Sequence, residues 1–599
     1  MRRDIIAIVA LAVMLALGSA AATGASASTW SYQSDAAFAA SYWQKGVTNV
    51  SATTQRTSCY APEVEYLAGD GYPGYADGGG SLCAGRVNTG EDVGPFAQQD
   101  VTNDVLLVKD HSESDIRVDP TNPMHLIGQS KWFVNAQGYN HLLGFYESFD
   151  GGLTWNIQGH IPGYEGWTDN TDPVGAFDQW GNFYSLVLPY MFYYKKDGSH
   201  GYSNGANLPN PTLPGEAIAN AVHPAAASQT ASNWITTVGA NQPDYLVQSP
   251  QAVTHGVDKQ WNAIDTNTAN KKDPFVGRVY AMWVLYNSFS SDHPYVSYAQ
   301  TRPDGTHTPW STPQVLVSIS GHPFDQYLLP HVDPDGVVWT TSTLNNPKQG
   351  YGVADIQLIW STDGGVTWQG PLQVADNIQV PTYQNTTFRE GIVDSFAVGR
   401  SKINGHYPLY VTYEDSSTGA SHVYLLTSLD GGHSWSSPTQ VDDGTADSTP
   451  GEALQPSVSV APNGTVSVVF YDRRLPCPAN DGSTEAANSG IWWDPGTTSS
   501  PGTPWGRANY CVNSAVQFYR PDGSPIGQNT RLSEHTWDPE LSTAHTGSIN
   551  YSGGFIGDYF GVDSSPLGFT YTTSVSTFNY SGENPSFHQQ QIVARIATP

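Results

Sequence analysis

The chain has 599 residues, 39% of them hydrophobic and 12% aromatic, which supplies a large folded core and excludes a disordered or fibrous protein. Lys and Arg number 25 against 54 Asp and Glu, a formal net charge of −29. Such a surface repels nucleic acid and anionic membranes, so nucleic acid is excluded as a partner.

In chain order, residues 1–27 read as a signal peptide: "MRR" is the positive start, "DIIAIVALAVMLALG" holds the short apolar run, and Ala25-Ser26-Ala27 fits a cleavage site. No later run is long and apolar enough for a membrane span. A secreted, extracellular protein is expected, and in that setting the four cysteines should be oxidised. Three pairings are open; nearness in sequence favours Cys59–Cys83 and Cys477–Cys511. No CxxC spacing occurs, which argues against a zinc or thiol-redox site. Residues 28–103 carry few strand signals and read as a lead-in segment containing the first disulfide.

From residue 104 onward, β-branched or alternating runs are separated by Gly, Pro, Asn and Asp, an all-β pattern. Comparable openings recur at Ser114, Asp172, Asp258, Asp325, Arg389, Pro456 and Phe555. One small sheet per opening predicts a β-propeller of six or seven blades, seven preferred, over residues 104–599. "DVLLVK", from Asp104, is expected to complete the last blade. Lys195–Asn241 reads as a polar rim or lid insertion. Trp132 falls in an irregular stretch, where an indole serves either as a sugar platform or as a loop anchor.

Three octapeptides stand out: "SFDGGLTW" from Ser148, "STDGGVTW" from Ser361 and "SLDGGHSW" from Ser428. Each fits a tight hairpin turn. The carboxylate (Asp150, Asp363, Asp430) accepts backbone N–H groups, and a glycine (Gly152, Gly365, Gly432) supplies positive φ. An indole (Trp155, Trp368, Trp435) then packs between strands or blades. One Asp per loop falls short of the about six to eight oxygens a calcium ion takes. No cofactor is expected, and a structural calcium is left open.

These octapeptides resemble the Asp box, the bacterial neuraminidase repeat Ser/Thr-x-Asp-x-Gly-x-Thr-Trp, and "DPTNP", "VFYDRR" and "FIGDYFG" are similar to phrases of secreted bacterial sialidase-like propellers. The resemblance implies a sialidase-like propeller acting on an extracellular glycan or glycoconjugate. It does not extend to the whole sialidase set. Arg-Ile-Pro is absent, and "GQSKWFVNAQGYNHLLGFYE" has neither Asp nor Arg where that family places an acid/base Asp and a second Arg. Two functions therefore stand side by side: a glycoside hydrolase, or a non-catalytic propeller binding glycan or protein. Either is expected as a monomer.

Propeller ligands bind at the channel mouth, where loops lead into the innermost strands. The residues there predict Glu390 and Asp258 as the carboxyl pair of glycoside hydrolysis, supported by Asp558 and Tyr559. Arg389 would hold an acidic sugar, with Lys259, Trp261 and Asp325 as further binding residues. Asp115, Asp172 and Gln455 are mouth positions by the same reading.

Overall fold

The openings read at Ser114, Asp172, Asp258, Asp325 and Pro456 fall in the innermost strands of antiparallel sheets in the computed structural model. The model describes residues 45–50 and most of 110–599. The signal peptide, Cys59, Cys83, "DVLLVK", Arg389 and Glu390 lie outside the described residues.

Seven sheets follow one another along the chain. The innermost strand of blade 1 is Asp110–Val118 and that of blade 2 is Asp169–Phe177. Blade 3 has Val257–Ile264; blade 4 has two short pieces, Phe324–Gln326 and His331–Val332. Blades 5, 6 and 7 have Ser395–Val398, Ala453–Val460 and Val562–Ser565. These strands neighbour one another in cyclic order, blade 7 returning to blade 1, so the protein is a seven-bladed β-propeller.

Two segments differ from expectation. The outer strand of blade 7 is Gly46–Asn49, from the stretch read as lead-in, and Gly46 faces Arg595 while Asn49 faces Ile592. The stretch read as a polar insertion holds the third strand of blade 2, Glu216–His223, entirely buried. Its sequence, EAIANAVH, is Ala-rich and lacks the alternation that marks a half-exposed strand, because both its faces are covered.

The apolar core lies between blades rather than on the axis. Ile356 and Leu358 of blade 4 pack with Phe396 and Val411 of blade 5, and Val466 and Val468 of blade 6 with Tyr410 of blade 5. The axis is thereby left to polar groups.

The three octapeptides fold alike, each between the third and fourth strands of its blade. Asp150 Oδ1 accepts from Thr154 N at 2.8 Å and Oδ2 from Thr154 Oγ1 at 2.7 Å. Asp363 does the same with Thr367 at 2.8 and 2.6 Å, and Asp430 with Ser434 at 2.9 and 2.5 Å. The Ser434 hydroxyl, foremost among these donors, holds the Asp430 carboxyl down at about 2. The turns also fasten blade to blade. Arg595 of blade 7 donates to Gly151 O at 3.3 Å, and Arg278 of blade 3 to Gly364 O at 2.6 Å. The following glycine lies against the preceding blade. A Cβ on Gly432, whose φ is +86°, would sit 2.4 Å from Leu358 Cδ2 of blade 4. Gly432→Ala should therefore lower stability by about 1–3 kcal/mol, read as a shifted denaturant midpoint at unchanged slope.

A buried ionic chain joins blades 1 and 2. His125 Nδ1 meets Asp119 Oδ2 at 2.9 Å and Nε2 meets Glu147 Oε1 at 2.8 Å. Burial alone would raise the Glu147 carboxyl, but hydrogen bonds from His125 and His223 overcome it and bring it down to about 2. Burial opposes protonation of His125, yet its two carboxylate partners raise it above 6.5. A depressed carboxyl stabilises the fold above its unfolded value and loses that contribution as pH falls through the folded one. A raised imidazole stabilises below its unfolded value and loses it as pH rises. The stability gap between the native chain and Glu147→Gln should therefore be widest near pH 5–6, at about 3 kcal/mol, and close between pH 4.5 and 2. A gap that is flat across that range would refute the charged chain.

Candidate functional site

Six of the seven inner strands share a distortion at or before their mouth ends. Glu113, Asp172, Lys259, Tyr327 and Gln455 take positive φ of 48–56°, and Gly557 takes the same place before blade 7 with φ 97°. Ladder register slips there in four blades, between Ser112 and Asp115, Thr171 and Val174, Asp258 and Trp261, and Leu454 and Ser457. Left-handed backbone costs a non-glycine residue about 1 kcal/mol, and such strain gathers where the fold holds side chains for a purpose. Each bulge displaces its strand and gathers long polar side chains around one end of the axis.

The gathered groups are Glu113, Asp172, Asp258 and Asp558 against two ammonium groups, Lys131 and Lys259. Lys259 Nζ donates to Asp558 Oδ2 at 2.9 Å, stands 3.9 Å from Asp258 Oδ2 and lies 5.3 Å over the Tyr327 ring. Lys131 Nζ is 3.5 Å from Glu113 Oε2 and 5.2 Å over the Phe555 ring. Thr171 Oγ1 reaches Glu113 Oε2 at 3.0 Å and also meets Asp172 Oδ1. The Asp172 carbonyl accepts from Gln260 Nε2 at 2.6 Å. Trp261 and Tyr559 meet edge to face at 5.2 Å.

With more carboxyls than cations, protons are retained unevenly. Burial, then the charge of Asp172, raise Glu113 well above the ordinary range against the pull of Lys131. Burial also opposes ionisation of Asp172, but Lys259, the hydrogen bond from Glu113 and Lys131 prevail and keep it ionised. Asp258 is raised by burial and by Asp172 and Asp558, with Lys259 opposing. Its side chain is 34% exposed, against 12% for Lys259 and 11% for Asp558, so Asp258 is the acid of this group most open to solvent. The site thus sets a solvent-facing carboxyl raised above its ordinary value beside a carboxyl held below its own and a fixed ammonium. That set can donate a proton and stabilise developing charge.

Beside it, Glu414 Oε2 accepts from Tyr383 Oη at 2.9 Å and from the backbone N–H of Gln455, the blade 6 bulge, at 3.1 Å. Gln455 Nε2 in turn donates to Gly557 O at 2.5 Å, tying blade 6 to the start of blade 7.

Of the residues expected here, the structure brings together Asp258, Lys259, Trp261, Asp558 and Tyr559. Arg389 and Glu390 lie outside the described residues. Asp325 sits in the strand Phe324–Gln326, two residues before Tyr327, which occupies the bulge position and receives Lys259. Asp115 is not a mouth residue: it is 1% exposed, accepts from Gly175 N at 2.9 Å and pairs with Arg117 at 3.0 Å, so it ties blades 1 and 2 together. Glu113, at the bulge itself, takes the expected place. Trp132 is neither sugar platform nor loop anchor. It is a strand residue, 1% exposed, donating Nε1 to Tyr146 Oη at 2.7 Å. Sequence reasoning also missed Lys131, Thr171 and Tyr327. A usable signal existed: Asp119, Asp178, Asp265 and Asp333 open the turns after the inner strands of blades 1–4, and six residues before each stands Glu113, Asp172, Lys259 or Tyr327.

No family model matches the chain, and no curated protein matches it. Among solved structures it is similar to a protein of unknown function from Dyadobacter fermentans, at 10% identity and TM-score 0.39, over 82% of this chain and 96% of that one. It is similar to the NanB sialidase of Streptococcus pneumoniae at 11% identity and TM-score 0.34, over 82% and 68%. It is similar to an intramolecular trans-sialidase from Ruminococcus gnavus at 10% identity and TM-score 0.33, over 82% and 95%. The fold rests on the sheet topology and the site on its own geometry.

Proposed function

We propose that this protein is a secreted glycoside hydrolase whose site is the carboxyl and lysine cluster at the channel mouth. The observation that carries the reading is the geometry of the cluster: Lys259 Nζ lies 2.9 Å from Asp558 Oδ2 and 3.9 Å from Asp258 Oδ2, and the Asp258 side chain, at 34% exposed, is the more open of the two carboxyls. Hydrolysis of a glycosidic bond needs a carboxylic acid to protonate the departing oxygen and a carboxylate to activate water or attack the anomeric carbon. Asp258 is the proton donor. Asp558, fixed by Lys259, is the carboxylate of the described residues placed beside it, and Glu390 is the further candidate that the sequence supplies. Trp261, half-buried beside Tyr559, offers its ring to a sugar, and Arg389 and Asp325 complete the binding set. Residues 1–27 are the export signal and 28–103 a lead-in whose Gly46–Asn49 joins the propeller. The Cys477–Cys511 disulfide, with its Cα atoms 4.7 Å apart, supports an oxidising compartment.

The experiment is a panel of chromogenic glycosides and polymeric glycans, run with Asp258→Asn and Glu390→Gln. Turnover of at least one substrate, lost in Asp258→Asn, is expected. Undiminished turnover in Glu390→Gln would leave Asp558 as the partner. Binding without turnover by the native chain would instead make the protein a glycan-binding propeller.

A further inference from the structure

A groove of about 220 Å³ opens between blades 4 and 5, on the face opposite the mouth. Its walls come from the turns that end the inner strands and from the octapeptide turn of blade 5, so no residue of the mouth cluster contributes to it. Two indoles, Trp339 and Trp360, lie nearly parallel with centroids 5.8 Å apart. Trp339 is fixed by donating Nε1 to Asp333 Oδ2 at 3.0 Å. On the rim, Lys402 Nζ donates to Asp335 Oδ2 at 2.6 Å and lies 5.1 Å over the Tyr407 ring, whose hydroxyl reaches Asp335 Oδ1 at 3.3 Å. His406 stands beside them, its Nδ1 3.1 Å from where a Cβ on Gly431 would be. At Gly405 an added Cβ would meet nothing within 4 Å, so the lip is open.

We infer that this groove is a second carbohydrate-binding site, taking one pyranose ring of a glycan. Pockets enclosing drug-sized ligands run to roughly 300–1,000 Å³, so this volume suits a single ring. Apolar walls with a few fixed polar groups are the composition of a small-molecule site. The half-buried Trp360, backed by the buried Trp339, matches the C–H face of a pyranose, while Asp335, Lys402 and Tyr407 present an acceptor and donors to its hydroxyls through charge-assisted hydrogen bonds. An ion pair whose side chains are 43% and 53% exposed adds little to the fold, and a ligand role accounts for its place at the lip of an aromatic groove. The site holds or orients polymer away from the mouth and does not depend on the mouth being catalytic.

The test is a titration of the full chain with methyl pyranosides of glucose, galactose, mannose and N-acetylglucosamine. It is followed by tryptophan fluorescence and by saturation transfer to ligand protons. At least one pyranoside should bind saturably in the millimolar range. Trp360→Ala should weaken it about tenfold or more, and Asp335→Asn with Lys402→Met about fivefold. Asp258→Asn should leave it unchanged, which separates this site from the proposed catalytic one. Should Trp360→Ala fail to fold, the exposed Asp335/Lys402 double variant decides. Saturable binding of none of the four sugars, unaltered affinity in the double variant, or loss of binding in Asp258→Asn would overturn the inference.

Discussion

Replacing Arg473 with methionine is expected to destabilise the protein by about 3–5 kcal/mol, the usual cost of removing one partner of a buried ion pair. Arg473 and Glu452 form a salt bridge in which both side chains are fully inaccessible to solvent. They are also joined by backbone, Arg473 N donating to Glu452 O at 2.8 Å. Glu452 immediately precedes the inner strand of blade 6, and Arg473 immediately follows the next strand, Val466–Asp472. The pair therefore clamps the mouth end of that hairpin, with the Phe388 ring 5.7 Å from the guanidinium. Methionine keeps much of the volume but takes away the cation that faces the buried Glu452 carboxylate. Removing both charges in Glu452→Gln/Arg473→Met should recover part of the loss, since no uncompensated carboxylate is left. Urea unfolding at pH 7 measures both variants. A single-variant loss under about 1 kcal/mol would contradict the buried pairing.

Asp258→Asn is expected to lower turnover of a glycoside by about 10²–10⁴-fold, the range a positioned general acid contributes. The variant should fold as well as the native chain. A carboxyl raised by burial and by neighbouring carboxylates destabilises the fold when it ionises, and the amide cannot ionise. The pH profile separates chemistry from structure. As the proposed proton donor Asp258 would work in its protonated form, so activity should be lost as pH rises through its elevated value, giving a basic limb in kcat/KM. That limb should vanish in Asp258→Asn, leaving a low residual rate. If the variant keeps the native basic limb, another group is the acid.

The propeller was legible because its repeats are periodic in the sequence and each octapeptide is a self-contained turn. Ser, Asp, Gly and Thr or Ser satisfy one another within seven residues, and the indole finds its wall nearby. Glu216–His223 was hidden for the opposite reason: a strand covered on both faces has no polar phase to read. The site was half legible. Asp258, Lys259, Trp261, Asp558 and Tyr559 follow from asking what precedes each inner strand. Glu113 was displaced in favour of Asp115 because a bulge inserts a residue and turns the next side chains about. Counting back six residues from the turn aspartates of blades 1–4 restores the phase there. Lys131 enters from a second strand, Leu126–Phe133, where no reading of strand openings would look for it.

The pairing of Gly46–Asn49 with Gln590–Ala597 brings together stretches from nearly opposite ends of the chain. Contacts so distant in sequence form late, because almost all the intervening polypeptide must already be ordered before the two strands can meet. Without that pairing Gln590–Ala597 would be the uncapped edge of blade 7, a row of open backbone groups able to recruit a strand from another molecule. Four residues, Gly46–Asn49, are thus the latch that closes the ring and covers this edge.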